Sequence, residues 1–200
     1  MVNLKIDQGQ LNGAKLMLAA VGKSADPIIY RSINKSIDNT QVKAVDLIYK
    51  VLNLTKTRIK KDFTKYKAYS KKLSGQLLAA GLPIGFMSFS GTNELKSGGV
   101  SYKIKRIGTR QKMKHAFIAR GRGGKEQVFE REKWKGRPWI RGYPYWKMPD
   151  DYRLGLDRLS AVAIEDYYKD PRIYDPTQLY AAFRLQVNME NQIDFELSKL

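Results

Sequence analysis

Apolar residues recur every three or four positions in the first third of the chain, which is the spacing of one face of an α-helix. The residues that share this face are Ile29, Ile33, Ile37, Val42, Val45, Ile48 and Leu52. Asp26-Pro27 is typical of a helix start, because Asp accepts hydrogen bonds from free backbone N–H groups and Pro suits the first turn. The pattern predicts a helical region over residues 7–62, and the polar run Asp38–Thr40 predicts a bend in its long helix.

Strand-like alternation replaces the helical spacing in the middle of the chain. Residues 100–104 alternate apolar and polar side chains, which predicts a strand with one buried and one wet face. Two short apolar runs within residues 116–129 flank a loop that contains Gly, and they predict a hairpin. An earlier strand is expected in either 76–80 or 84–89. Together these signals predict a β-rich region over residues 66–148.

The last quarter of the chain returns to a helical pattern. Residues 150–168 are amphipathic and predict a helix, and residues 169–176 predict a linker. Asp175-Pro176 then repeats the start signal of Asp26-Pro27. The last helix carries a partial apolar stripe, which is formed by Leu179, Phe183, Val187, Ile193 and Leu197.

These elements predict an α+β fold, in which a long N-terminal helix packs on a mainly antiparallel β-sheet or partial barrel and C-terminal helices follow. The chain has 200 residues, a length that suits one domain or one domain with an extension. We therefore expect a single α+β domain over residues 1–170 and a C-terminal helical extension over residues 171–200.

The composition narrows the class of protein. Apolar residues make up 42% of the chain, which is enough for a core and argues against wholesale disorder. There is no run of 18 apolar residues and no signal-peptide pattern, so we expect neither a membrane span nor a leader. The chain has no Cys, which excludes disulfides and thiolate metal sites and fits an intracellular protein.

Charge is segregated along the chain. Residues 56–114 contain 15 Lys and Arg against 2 acids, whereas residues 148–200 contain 6 against 10. The whole chain has a formal net charge of +18. A basic middle and an acidic end indicate either two surfaces that attract each other across subunits, or one surface that meets a polyanion.

The basic side chains are the first candidates for a contact with DNA or with a neighbouring subunit. They could follow phosphates, and the interleaved Tyr66 and Tyr69 could stack on bases, although a charge run is usually a solvated face. The candidates are Lys56, Arg58, Lys60, Lys61, Lys71, Lys72, Lys103, Lys105, Arg106, Arg110, Arg120 and Arg122.

Aromatic residues are dense between Lys133 and Lys147. Such residues are enriched at the cores of interfaces, and packing inside the β-rich region is an equally good explanation. The candidate interface residues are Trp134, Trp139, Tyr143 and Trp146.

Catalytic chemistry has little support in the sequence. His115 is the one histidine, so it cannot form a multi-histidine metal site, and no acid or nucleophile can be assigned to it. The pairs Asp150-Asp151 and Glu165-Asp166 are sequence neighbours, and neighbours do not face the same way on a helix. The tract 121–124 is a candidate phosphate nest, but a hairpin turn explains its glycines better. We expect no enzyme, cofactor or metal.

The order of the motifs resembles the prophage minor tail protein Z family of long-tailed phages. The resemblance covers residues 25–165, and its most specific part is 116–131. The motifs that carry it are, in order, Arg31-Ser32-Ile33-Asn34-Lys35-Ser36, Leu82-Pro83-Ile84-Gly85-Phe86, Gly99-Val100-Ser101-Tyr102, Ala116-Phe117-Ile118-Ala119 and Val128-Phe129-Glu130-Arg131. The stretch 176–200 lies outside it.

The resemblance implies a structural tail-completion or neck protein without catalytic residues. It implies a homo-oligomeric ring, a hexamer, at the head-proximal end of the tail. Such a ring joins the tail terminator to the head-connector proteins around the DNA channel. The implied location is the virion, after assembly in the cytoplasm of the bacterial host. The alternative is a nonspecific nucleic-acid-binding protein that uses the basic segment 56–114.

Overall fold

A computed structural model of the chain describes residues 2–4, 25–121, 123–131 and 156–199. The α+β class is confirmed: a long N-terminal helix, antiparallel sheets and C-terminal helices are all present. The described strands form three three-stranded sheets, and none of these sheets closes into a barrel. The chain divides into unit 1, which comprises Met1–Leu82 and Val162–Leu200, and unit 2, which comprises Pro83–Ala161.

Unit 1 contains four described helices and one sheet. The helices are α1 (Asp26–Val51), α2 (Lys56–Lys60), α3 (Ile164–Tyr168) and α4 (Pro171–Leu197). The strands are β1 (Val2–Leu4), β2 (Phe63–Tyr66) and β3 (Gly75–Ala79), in the order β1-β3-β2 with both pairings antiparallel.

Unit 2 contains two described sheets and a short 3₁₀ helix at Phe86–Ser88. The first sheet is formed by β4 (Asn93–Glu94), β5 (Val100–Tyr102) and β6 (Gln111–Met113) in that order. The second is formed by β7 (Ala116–Arg120), β8 (Glu126–Arg131) and β9 (Leu156–Arg158) in that order.

The apolar face predicted for α1 is the buried face, with one exception. Its isoleucines and Val45 are buried, whereas Val42 is 58% exposed. The helix begins at Asp26 as expected, although Ala25 is the N-cap residue. The polar run Asp38–Thr40 lies within the continuous helix, where the Thr40 hydroxyl donates to the Ser36 carbonyl at 2.7 Å. That bond satisfies a buried hydroxyl without leaving the helix.

A seam of small polar residues joins α1 to α4. Ser32 and Ser36 are fully buried, and each donates a hydrogen bond to a carbonyl one turn earlier in its own helix. The Ser32 hydroxyl also lies 3.1 Å from the carbonyl of Asn188, whose amide nitrogen donates to the Ser36 hydroxyl at 2.9 Å. Small side chains let the two helix backbones approach closely, so this contact depends on fit as well as on apolar burial.

The two helices run antiparallel, as contacts outside the seam show. Arg31 lies 3.6 Å from Glu196 near one end, and the Lys43 ammonium lies 5.5 Å from the centre of the Tyr180 ring towards the other. Residue 170, the predicted boundary, is the N-cap of α4. Domain boundaries stay a prediction, but α4 packs along α1 within unit 1.

The start and the buried face predicted for α4 were both wrong. Asp170-Pro171 begins the helix, since the Asp170 carboxylate accepts from the backbone N–H of Arg172 at 3.0 Å. Pro176 lies inside the helix. Leu179 and Phe183 are 74% and 58% exposed. The buried positions are Ile173, Thr177, Ala181, Leu185, Asn188 and Met189. This face could not be predicted from hydropathy, because its small and polar members are buried by their fit to the seam on α1.

The helix predicted over 150–168 is wrong in its middle. Residues 156–158 form β9, which pairs antiparallel with β8 in a register that sets Phe129 opposite Arg158. Helix α3 begins only at Ile164. Backbone pairing with β8 overrides the amphipathic pattern there, because a free strand edge offers hydrogen bonds that an isolated short helix cannot match. Residues 150–155 lie outside the described residues.

The strand predictions for the middle of the chain are mostly confirmed. Residues 75–79 form β3, whereas 84–89 contain only a bridge from Gly85 to Ser160 and the 3₁₀ helix. The hairpin predicted within 116–129 is formed by β7 and β8, and Gly124 adopts a φ of 72° in its turn. Strand β5 buries both Val100 and Ser101, so the predicted wet face is wrong at Ser101, whose hydroxyl accepts a hydrogen bond from Arg110.

Candidate nucleic-acid interface

The basic residues at the start of the 56–114 segment are paired with acids of unit 1. Lys56 Nζ lies 2.6 Å from Asp46, and Lys65 Nζ lies 2.6 Å from Asp38. The Arg58 guanidinium lies 2.7 Å from the Asp62 carboxylate within the same helical turn. Helix α1 therefore supplies two carboxylates that neutralise part of the predicted basic surface. These pairs fix α2 and β2 against α1 rather than presenting cations to a polyanion.

Four further candidates in unit 1 are exposed. Lys71 and Lys72 lie at a tight turn, where Tyr69 and Lys72 exchange backbone hydrogen bonds of 3.0 and 2.8 Å. Tyr69 is exposed beside them, and so is Tyr66 on β2. Lys60 and Lys61 are exposed at the end of α2. The turn at residues 69–72 exposes both cations and an aromatic ring. The carboxylates of Asp38 and Asp46 nevertheless reduce the net positive charge of unit 1.

Unit 2 contains the rest of the predicted basic segment. Its stretch 83–114 contains seven basic residues and a single acid, Glu94. Three of the basic residues lie at strand β6: Lys112 is its middle residue, and Arg110 and Lys114 flank its two ends. All three side chains are exposed.

The register of the sheet identifies the outward face of β6. Met113 lies opposite Val100, which is fully buried, whereas Lys112 lies opposite Ser101. Lys112 is therefore on the face that points away from Val100, and it donates to the Ser97 hydroxyl at 3.1 Å. We call the side chains of Arg110, Lys112 and Lys114 the basic strand face. All three side chains are exposed, and no acid lies between them in the sequence.

Arg110 has a structural task at the edge of this face. Its Nε donates to the Ser101 hydroxyl at 3.1 Å, and its guanidinium also donates to the Gly91 carbonyl and contacts the Asn93 side chain at 3.5 Å. The side chain thereby ties β4, β5 and the turn before β4 together. Arg110 supports the face, while Lys112 and Lys114 carry its exposed charge.

The other predicted cations are spread over unit 2. Lys103, Lys105 and Arg106 lie in the loop between β5 and β6, and Arg120 lies at the end of β7 opposite Glu126. Arg122 lies outside the described residues. The four aromatic candidates lie outside them too, namely Trp134, Trp139, Tyr143 and Trp146.

Lys112 and Lys114 were absent from the candidates chosen from the sequence. The period-two spacing of cations in residues 110–114 was the signal that could have identified them. Asn34 was also missed: its side chain donates to the Ala68 carbonyl at 2.9 Å and accepts from the Ala68 N–H at 2.8 Å. These two hydrogen bonds hold the segment just after β2 against α1, and no pattern in the sequence predicts them.

Groups suited to catalysis are not gathered in the described part of the chain. No cluster of three His, Cys, Asp or Glu side chains is placed there to hold a metal ion. His115 lines an open cavity of about 390 Å³ with Phe117, Glu130 and Arg131, and the Arg131 guanidinium lies 5.7 Å from the Phe117 ring. Burial raises the pKa of Tyr168, whose ring packs edge-to-face against the rings of Phe63 and Tyr174 in unit 1.

The fold and its charges define an α+β protein with a basic strand face in one unit and a partly neutralised basic segment in the other. No family model, curated protein or solved structure matches the chain. Within the described residues, no helix has the length and apolar character to cross a membrane.

Proposed function

We propose that this chain is a structural tail-completion or neck protein of a long-tailed phage. It forms a homo-oligomeric ring at the head-proximal end of the tail and joins the tail terminator to the head connector around the DNA channel. The proposal assigns no catalytic residue, metal or cofactor. It is supported by the order of the sequence motifs together with the basic strand face.

The basic strand face is the observation that carries the proposal. A protein that surrounds DNA needs cations which its own carboxylates do not neutralise. Lys56 and Lys65 have carboxylates within 2.6 Å, whereas Lys112 and Lys114 are exposed and lie in a stretch, 83–114, whose single acid is Glu94. The basic strand face is therefore the better candidate surface for phosphates, and contacts to phosphates carry no sequence information.

The contact between subunits involves the outer face of α4. The acidic end of the chain packs on its own α1, so it does not reach across to a neighbour as a free extension. Leu179 and Phe183 remain exposed one turn apart, with Asp175 and Glu190 exposed on the same helix. An apolar strip with acids beside it suits a heterologous contact with a different, basic surface of the next subunit, and repetition of that contact closes a ring.

A salt titration tests the role assigned to the basic strand face. The double variant Lys112→Gln/Lys114→Gln should bind duplex DNA more weakly, and the slope of log affinity against log salt should fall by about 2 because each phosphate contact contributes about 0.9. The matched control is Lys56→Gln/Lys65→Gln, which removes the same charge from ion-paired positions. The control should keep the slope of the wild type. Equal losses in the two variants would show that total charge, and not the face, governs binding.

The basic strand face also favours a second function, nonspecific nucleic-acid binding by a protein that works alone. The state of association separates the two. A monomer that binds duplex DNA tightly in isolation supports the second function, whereas a closed oligomer supports the first.

A further inference from the structure

The loop between β5 and β6 combines cations with the most exposed large apolar side chain in the described part of the chain. Residues 103–110 contain Lys103, Lys105, Arg106 and Arg110 and no acid. Ile107 lies among them and is 87% exposed. A single exposed apolar side chain is common on protein surfaces, so it is the combination of the exposed Ile107 with the cations around it that indicates a contact.

The base of this loop is fixed. Tyr102 pairs with Gln111 in the last register position before the loop, and the Tyr102 hydroxyl donates to the Gln111 side chain at 2.7 Å. Arg110 clamps the other side of the base through the Ser101 hydroxyl and the Gly91 carbonyl. The loop is therefore held on a defined frame, and binding would not first have to order its base.

The tip of the loop turns sharply into open space. Gly108 adopts a φ of 123°, a conformation that side-chain-bearing residues rarely accept. A Cβ built on Gly108 would meet nothing within 4 Å. The turn therefore follows Ile107 directly and leaves both the backbone and the isoleucine accessible.

We propose that residues 103–110 form a DNA-binding arm, in which Lys105 contacts phosphates and Ile107 enters the minor groove as a wedge between base pairs. Proteins that bend duplex DNA insert apolar side chains flanked by Lys or Arg in this way. The ligand is duplex DNA without sequence preference. The inference deepens the proposed function, and it rests on the DNA contact of that function but not on ring formation.

Charge decides between DNA and a protein partner. The arm is continuous with the basic strand face through Arg110, and Lys105 is exposed two residues before Ile107, so a partner that covers Ile107 also meets positive charge. A protein pocket would need a matching rim of acids, whereas DNA supplies negative charge along both sides of the groove. An apolar side chain that enters the groove reaches an apolar surface by separating two stacked base pairs. A bend in the DNA is the expected result.

The arm is tested by substituting its tip and one flanking cation separately. In Ile107→Ser, duplex affinity should fall about tenfold, the loss expected for one buried isoleucine, and the salt slope should stay unchanged. In Lys105→Gln, the slope should fall by about 1 while the DNA bend persists. The control is Leu82→Ser, which removes a side chain that is 83% exposed elsewhere in the chain and should leave binding and bending as they are.

Energy transfer between dyes at the ends of a short duplex reports the bend, and 2-aminopurine fluorescence reports unstacking. Loss of both signals in Ile107→Ser with retention in Leu82→Ser is the expected result. Bending that persists in Ile107→Ser overturns the proposal. Loss of self-association by Ile107→Ser with DNA bending unchanged also overturns it and makes the tip a subunit contact. A wild-type monomer that still bends DNA through Ile107 contradicts the ring but leaves the arm intact.

Discussion

Gly75→Ala should lower the free energy of unfolding of unit 1 by about 2–3 kcal/mol, since overpacking a dense core costs about this much. A Cβ at position 75 would overlap the Cδ1 atom of Ile37 and lie 2.9 Å from the Cγ2 atom of Ile33. Both isoleucines are fully buried on α1, so neither can turn away into solvent. Gly75 is thus the point of closest approach between β3 and α1.

A second substitution identifies the cause of that loss. Ile37→Val removes the Cδ1 atom that the new methyl group would strike, and by itself it should cost about 1 kcal/mol. The double variant should therefore be more stable than the sum of the two single effects, by at least about 1 kcal/mol in a double-mutant cycle. The control is Gly123→Ala, whose Cβ would meet nothing within 4 Å. Strict additivity would contradict the close approach of β3 to α1.

The helical signal is a suitable probe of unit 1. The two long helices among the described residues belong to this unit, and circular dichroism at the helical band follows them. Denaturant unfolding monitored at this band should show a shift to lower denaturant concentration for Gly75→Ala, because the substitution lies in unit 1.

Asn188→Asp should destabilise unit 1 by about 3 kcal/mol or more at neutral pH, the cost of an uncompensated buried charge. Asn188 is fully buried, its amide nitrogen donates to Ser36, and its side-chain oxygen has no hydrogen-bond partner among the described residues. The substitution replaces that donor by a carboxylate oxygen in the buried seam between α1 and α4.

Asn191→Asp provides the matched control, because it makes the same chemical change three residues later on an exposed position of the same helix. It should change the free energy of unfolding by no more than about 0.5 kcal/mol. Helical circular dichroism during urea unfolding measures both variants. If the two variants lose similar stability, the seam is not a buried contact and the packing of α4 on α1 is wrong.

The elements that sequence reasoning located best are those whose pattern is local. The isoleucines of α1 repeat at helical spacing and are buried, and the β7–β8 hairpin has its glycine at the turn. The face of α4 could not be found in this way, because Thr177 and Asn188 are buried by their fit to α1 rather than by their hydropathy. Strand β9 could not be predicted for a related reason: it forms by pairing with β8, which is distant in the chain.

The candidate site was only partly predictable for the same physical reason. Counting charges along the chain indicated that the middle is basic, but it could not show that Lys65 is neutralised by Asp38, 27 residues away. Tertiary contacts decide which cations remain available. By contrast, the alternation around Lys112 was visible in the sequence and needed only the register with Val100 to show which side faces outward.

An image of the purified protein, together with the mass of the intact assembly, tests the proposed ring most directly. We predict a closed ring of identical subunits, six if the family resemblance holds, with a central opening wide enough for duplex DNA. The assembly should persist without DNA, because its contacts are between subunits. A protein that stays monomeric at every concentration, or that forms open filaments with no central opening, would contradict the proposed function.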